Sequence, residues 1–194
     1  MRAPRWRAGA VPACLLAVGI AFFGRGAWIY GKAVVAQRLL ERAWSRTLSG
    51  GKHVKPWPWA DTWPVAKIEI PRPEGGRSAY IVLSGASGRT LAFGPGHLDG
   101  SAVPGSPGNC VLSAHRDTQF MALRGLVPGN AIVLETPDGK RHAYRVAGLT
   151  VVDRRDTRLL EPTDEESLTL VTCYPFDAVV PGGPLRYVVR AVAL

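Results

Sequence analysis

A chain of 194 residues is long enough for one domain of ordinary size plus an appendage. Its formal charge of +9 raises nucleic acid or an anionic surface as a partner, yet residues 1–60 carry ten Lys and Arg against one acidic residue, while residues 61–194 carry fourteen of each sign. The globular part is therefore neutral, which argues against a nucleic-acid module, and three cysteines (Cys14, Cys110, Cys173) do not make a disulfide framework.

Arg2, Arg5 and Arg7 precede an almost unbroken apolar run at 8–23, continued to Tyr30. This is about the ~20 residues that a bilayer-spanning helix requires, with Trp28 and Tyr30 suited to the far interface and Arg25 near enough to the end to snorkel. A cleaved signal peptide shares the basic start and apolar centre, but no small-x-small site ends the run and a helical pattern continues from it. Residues 1–30 are thus expected to be an uncleaved anchor, with the basic end in the cytoplasm. Residues 31–56 are expected to form an amphipathic juxtamembrane helix and linker. Val34, Val35, Leu39, Ala43 and Leu48 alternate there with Lys32, Arg38, Arg42 and Arg46, a basic face that is either solvated or set against anionic lipid. Ser49, Gly50 and Gly51 read as a flexible joint. The proline-rich WPWADTWP at 57–64 opens the domain at 57–194, and its tryptophans are expected to cap one end of it.

From Val65 onward the chain reads as short strands between Gly and Pro turns, at 65–70, 79–83, 109–114, 131–136, 143–152, 167–172 and 185–192. Seven or eight such segments predict a closed β-barrel or a sandwich, with one short helix at 119–123.

Within that series, LTLVTCYPF at 168–176 reads as a strand halted by Pro175, which cannot donate to a ladder. Cys173 then sits at a sheet rim, where a large partner can reach it. By residue type alone it could equally be a buried small hydrophobe. What singles it out is His115 in SAHRDT and Arg186 in PLRYVV, each on or beside its own predicted strand. Only a thiolate attacks a carbonyl efficiently, so a catalytic thiol needs a cationic neighbour. His115 can supply that charge and later protonate a departing amine, while the fork of Arg186 suits an oxygen that gains charge.

The TLVTC run at 169–173, the upstream strand ending in His115 and the downstream strand carrying Arg186 resemble the signature of sortases, the cysteine transpeptidases. PWPWADTWPVAKIEIP ahead of the core and GPGHLDGSAVPGSPGNCVLSAHRDTQF within it are most similar to the type found in Gram-negative, often marine, proteobacteria. The resemblance implies an eight-stranded barrel with catalytic His115, Cys173 and Arg186, and no metal or organic cofactor. It also implies cleavage of a Leu-Pro-x-Thr-Gly-like motif near the C-terminus of a membrane-held protein, through a thioester that an amine resolves. Thr172 and groove walls at 150–162 would touch that peptide. The site would stand on the periplasmic side of the inner membrane. The alternatives are a non-catalytic, membrane-tethered β-domain that binds a partner, or another cysteine peptidase or transpeptidase. An L,D-transpeptidase would show Ser-His-Gly-Cys and a papain-like enzyme Cys before His, and neither occurs here.

Three further residues are weighed at the same site. Asp117 is either an orienter of His115 or a turn and cap residue with Thr118. His97, in the loop GPGHLDG, either lines a groove or packs within its loop. Strand alternation sets Cys110 on the face opposite His115, which makes it a core residue and disfavours a bond to Cys173. His53 and His142 read as surface residues, and the acidic run at 164–166 lacks the ligand spacing of a calcium loop.

Overall fold

The computed structural model describes residues 6–180 and 182–194. Helix α1 (Trp6–Leu48) is continuous, and Pro12–Leu48 contains a stretch long and apolar enough to cross a membrane. Leu15, Ile20, Phe22 and Phe23 are exposed along it. Arg2 and Arg5 of the expected basic end lie outside the described residues.

Eight strands follow: β1 (Pro64–Pro71), β2 (Arg77–Ser84), β3 (Gly96–His97), β4 (Asn109–Ser113), β5 (Ala131–Glu135), β6 (Arg141–Asp153), β7 (Ser167–Tyr174) and β8 (Leu185–Ala193). They close into a barrel in the order β1-β2-β3-β4-β7-β8-β6-β5. The pairs β2·β3 and β4·β7 are parallel and the others antiparallel. The expected barrel is therefore present, and the sandwich alternative is not. Inward-facing residues follow the two-residue period of a strand. Ala66, Ile68 and Ile70 of β1, Leu112 of β4, Leu168 and Leu170 of β7, and Val189 and Ala191 of β8 form one buried cluster. Short helical segments lie between strands, α2 (Gly88–Leu91) and 3₁₀ turns at Gln119–Gly125 and Arg158–Leu160.

The chain divides into two compact units, with the second running Leu39–Leu194. The expected boundary at 56/57 falls inside that second unit. The cause is the apolar stripe at the end of α1: Leu40 and Trp44 are buried against Ile81 and Leu83, which β2 projects outward, and Trp57 and Phe93 complete the cluster. Trp57 meets Phe93 edge-on with centroids 4.8 Å apart, whereas Trp59 is fully outside. The expected flexible joint is a closed helix cap. Gly50, at φ +93°, takes the left-handed conformation that glycine adopts without penalty. The Gly51 amide reaches back to the Arg46 carbonyl at 3.0 Å, and that of Gly50 to Thr47 at 3.0 Å.

Candidate active site

The register of three neighbouring strands builds the site. In the antiparallel ladder of β7 and β8, Cys173 lies directly opposite Arg186, so both side chains leave the same face of the sheet. On the other side of β7, the parallel ladder pairs Ser113 of β4 with Val171. The Ala114 amide continues that ladder to the Val171 carbonyl at 3.3 Å. His115 is two residues beyond Ser113, as Cys173 is two beyond Val171, so alternation directs both toward the outer face at the same rim. His115 is exposed, and Cys173 and Arg186 are half-buried.

Arg186 Nη1 donates to the carbonyls of Gly183 at 2.9 Å and Leu185 at 2.8 Å. Both bonds leave from one nitrogen, so Nε and Nη2 are the donors that the fork can still offer. Cys110 is 1% exposed, belongs to the core cluster and is a free thiol, as is Cys173. Burial pushes the Cys110 thiol up to about 12, with the Glu166 charge adding to it. It therefore stays protonated and inert at neutral pH.

From the Cys173 rim the outer face runs along β7 and β8 into a cleft of about 450 Å³. Thr169 and Val188 lie on its floor, and Thr150, Asp156, Arg158 and Glu161 are among its walls. Those four walls come from the 150–162 stretch, and Gly148, Leu149 and Arg190 also line the cleft. Arg158 is paired with Asp156 at 2.6 Å, which fixes one charged edge of the cleft.

Two of the secondary candidates are not brought into this arrangement, and a third stands apart from His115. Thr172 is 2% exposed, and its hydroxyl donates to the Ala114 carbonyl at 2.7 Å. Alternation turns Thr172 away from the groove, and its hydroxyl ties β7 to the chain just before His115. The His97 ring, with Nε2 at 2.9 Å from the Ala102 carbonyl and 3.0 Å from Ser101 Oγ, is engaged within its own loop. Asp117 is exposed, and among the described residues no ion pair or hydrogen bond joins it to His115. No group of three or more His, Cys, Asp or Glu suited to a metal occurs among the described residues.

Sequence reasoning missed Arg116. It is only 8% exposed, and its Nη2 donates to the Ala178 carbonyl at 2.6 Å and to that of Val180 at 3.4 Å. An arginine between His and Asp carries no periodic signal, so nothing local marks it as buried.

A closed barrel with a thiol, an imidazole and a guanidinium at the rim of three adjacent strands defines the class of protein, and comparison with known proteins gives the same answer. The sortase-domain family profile matches residues 68–194. Sortase D of Bacillus subtilis (strain 168) is 35% identical over 123 residues, which is 63% of this chain and 60% of that protein's own length. Among solved structures, the catalytic domain of SrtD from B. anthracis is 33% identical at a TM-score of 0.56, covering 68% of this chain and 87% of that one. Sortase C-1 from Actinomyces oris is 28% identical at a TM-score of 0.59, covering 68% and 74%. A Clostridium perfringens Sortase D5 transpeptidase, at 24% identity, shares the fold with a TM-score of 0.63 over 83% of this chain and 99% of that one. The chain belongs to the sortase family.

Proposed function

We propose that this chain is a membrane-anchored cysteine transpeptidase that cleaves a sorting signal resembling Leu-Pro-x-Thr-Gly and transfers the upstream protein to an amine. The observation that carries this reading is the cross-strand pairing of Cys173 with Arg186, with the end of β4 delivering His115 to the same rim.

The Cys173 thiolate attacks the scissile carbonyl carbon, forming a C–S bond and moving an electron pair onto oxygen. Nε and Nη2 of Arg186 donate to that oxyanion. Collapse of the intermediate breaks the C–N bond, and protonated His115 delivers its proton to the leaving amine. The resulting thioester is opened by the acceptor amine, whose proton His115 takes back as the thiolate departs. The outer-face cleft receives the peptide upstream of the scissile bond. The apolar N-terminal helix supports anchoring, with the N-terminus cytoplasmic and the catalytic body on the periplasmic side. The Gram-negative subtype is carried by the two sequence patterns around the core alone.

The test is thioester formation with a Leu-Pro-x-Thr-Gly peptide, followed by mass spectrometry. Cys173→Ala and His115→Ala are expected to abolish it. Arg186→Lys is expected to lose about 10²–10³-fold in rate, because the fork is gone while a charge remains. Undiminished turnover in Cys173→Ala rules the mechanism out.

A further inference from the structure

The three reactive side chains stand at the very end of their strands, where the ladder is running out. β4 stops at Ser113, and the last backbone bond toward β7 is the one from Ala114. Beyond it, the chain after Cys173 leaves the sheet and turns back to Leu185, carrying Val179 and Val180 at 96% and 75% exposure. Among its described residues the turn has one backbone bond of its own, from the Ala178 amide to the Pro175 carbonyl at 3.4 Å, and a segment so sparsely bonded opens readily unless side chains hold it. At its far end it is fixed by Arg186 Nη1 on Gly183, and by the Arg154 amide on the Pro184 carbonyl at 2.6 Å. Nearer the nucleophile Phe176 packs on the core and edge-on to Tyr187, and beyond it the polar tie is Arg116, whose buried guanidinium holds the carbonyls of Ala178 and Val180.

Arg116 directly follows His115. The His115 carbonyl is in turn held by the Phe120 amide at 3.1 Å, and Phe120 is wholly buried. The backbone that presents the imidazole is thus tied to the core, and the next residue clamps the turn that follows the thiol. Among the described residues Arg116 Nη1 is buried with no hydrogen-bond partner. A guanidinium left incompletely satisfied in the interior is a costly way to fill space, and points to a demand on geometry rather than on packing.

We propose that Arg116 is a positioning residue, which locks the turn after Cys173 to the strand end bearing His115 and so fixes the spacing of imidazole, thiol and Arg186. It touches neither substrate nor the reacting atoms. The proposal rests on the transpeptidase reading for its consequence in rate, but the clamp itself is a separate, physical claim.

Two measurements on the full-length protein test it, using Arg116→Gln and Arg116→Lys. The first is nicking by elastase after Ala178 or Val179, with amide exchange in β1 and β2 as the reference for the barrel. Arg116→Gln is expected to be nicked about tenfold faster than wild type with the reference amides unchanged. Arg116→Lys, which keeps one charged donor, should fall between. The second is single-turnover acylation by the Leu-Pro-x-Thr-Gly peptide. The maximal rate is expected to fall about 10²-fold in Arg116→Gln, with the half-saturating peptide concentration unchanged and partial recovery in Arg116→Lys. Unaltered nicking overturns the proposal. So does nicking that rises only in step with exchange throughout the barrel, or failure of both variants to fold, since either outcome makes Arg116 a general support of the structure. Turnover surviving in Cys173→Ala would remove the enzyme reading while leaving the nicking result to stand.

Discussion

At the scale of single residues, neighbours in sequence are sent to different tasks by strand alternation alone. Cys173 faces outward at the rim, and Thr172 faces inward with its hydroxyl spent on Ala114. A different pair of charges closes the barrel far from the rim. Arg141 of β6 reaches across β5 to Glu69 of β1 through two bonds, at 2.8 and 3.2 Å. These hydrogen bonds hold the Glu69 carboxyl below its ordinary value, although burial pulls the other way. A depressed folded value stabilises the protein above the unfolded carboxyl range of about 4.3 and ceases to do so as the pH falls through the folded value. Glu69→Gln is therefore expected to melt at a lower temperature than wild type at neutral pH, with the difference shrinking once the pH drops below the unfolded carboxyl range and vanishing as it falls through the folded value. Thermal melts across that range check it, and a gap of constant size down to acid pH would contradict it.

Among the elements, β7 was readable because an alternating apolar run ended at a proline, and β1, β2, β4, β5, β6 and β8 were readable by the same period. β3 was not. Gly96–His97 sits in a Gly- and Pro-rich stretch that reads as loop, and its pairing is with Leu83 and Leu112, partners that no local pattern reveals. Gly96 is needed there because a Cβ would come within 2.3 Å of the Gly85 carbonyl oxygen. The helix was readable as apolar then amphipathic, but not the destination of its last turns. Leu40 is fully buried against the outside of β2, so Leu40→Ala is expected to destabilise the folded body by about 2–5 kcal/mol, as core truncations do. Val35, 56% exposed, serves as the control, and Val35→Ala should change stability by less than about 0.5 kcal/mol. Urea unfolding in detergent measures both, and equal small effects would show that the helix end contributes no core.

For the whole molecule, the charge asymmetry now has a location. The excess of Lys and Arg lies in the first 60 residues, along and just after α1, and the barrel is neutral. His115, Cys173 and Arg186 were legible as residue types at strand ends, and the start of the second compact unit at Leu39 was not, because helical periodicity does not say which sheet a stripe will meet. A chain beginning at Leu39 keeps Leu40 and Trp44 and is expected to be released from membranes as a cooperatively folding body. One beginning at Trp57 lacks both and is expected to unfold at lower denaturant. Identical midpoints for the two chains would place the boundary back at 56/57.

The side-by-side, same-direction pairing of β4 and β7 has a consequence for the order of events in biogenesis. Between those strands the chain must lay down β5 and β6, so the pairing is among the last to be secured, being paid for by a long loop closure. Until then Cys173 and His115 do not share a rim. On the transpeptidase reading proposed above, a chain with that wall unfinished carries a sulfur that cannot yet react, and competence would arrive with completion of the wall rather than with synthesis of any one residue.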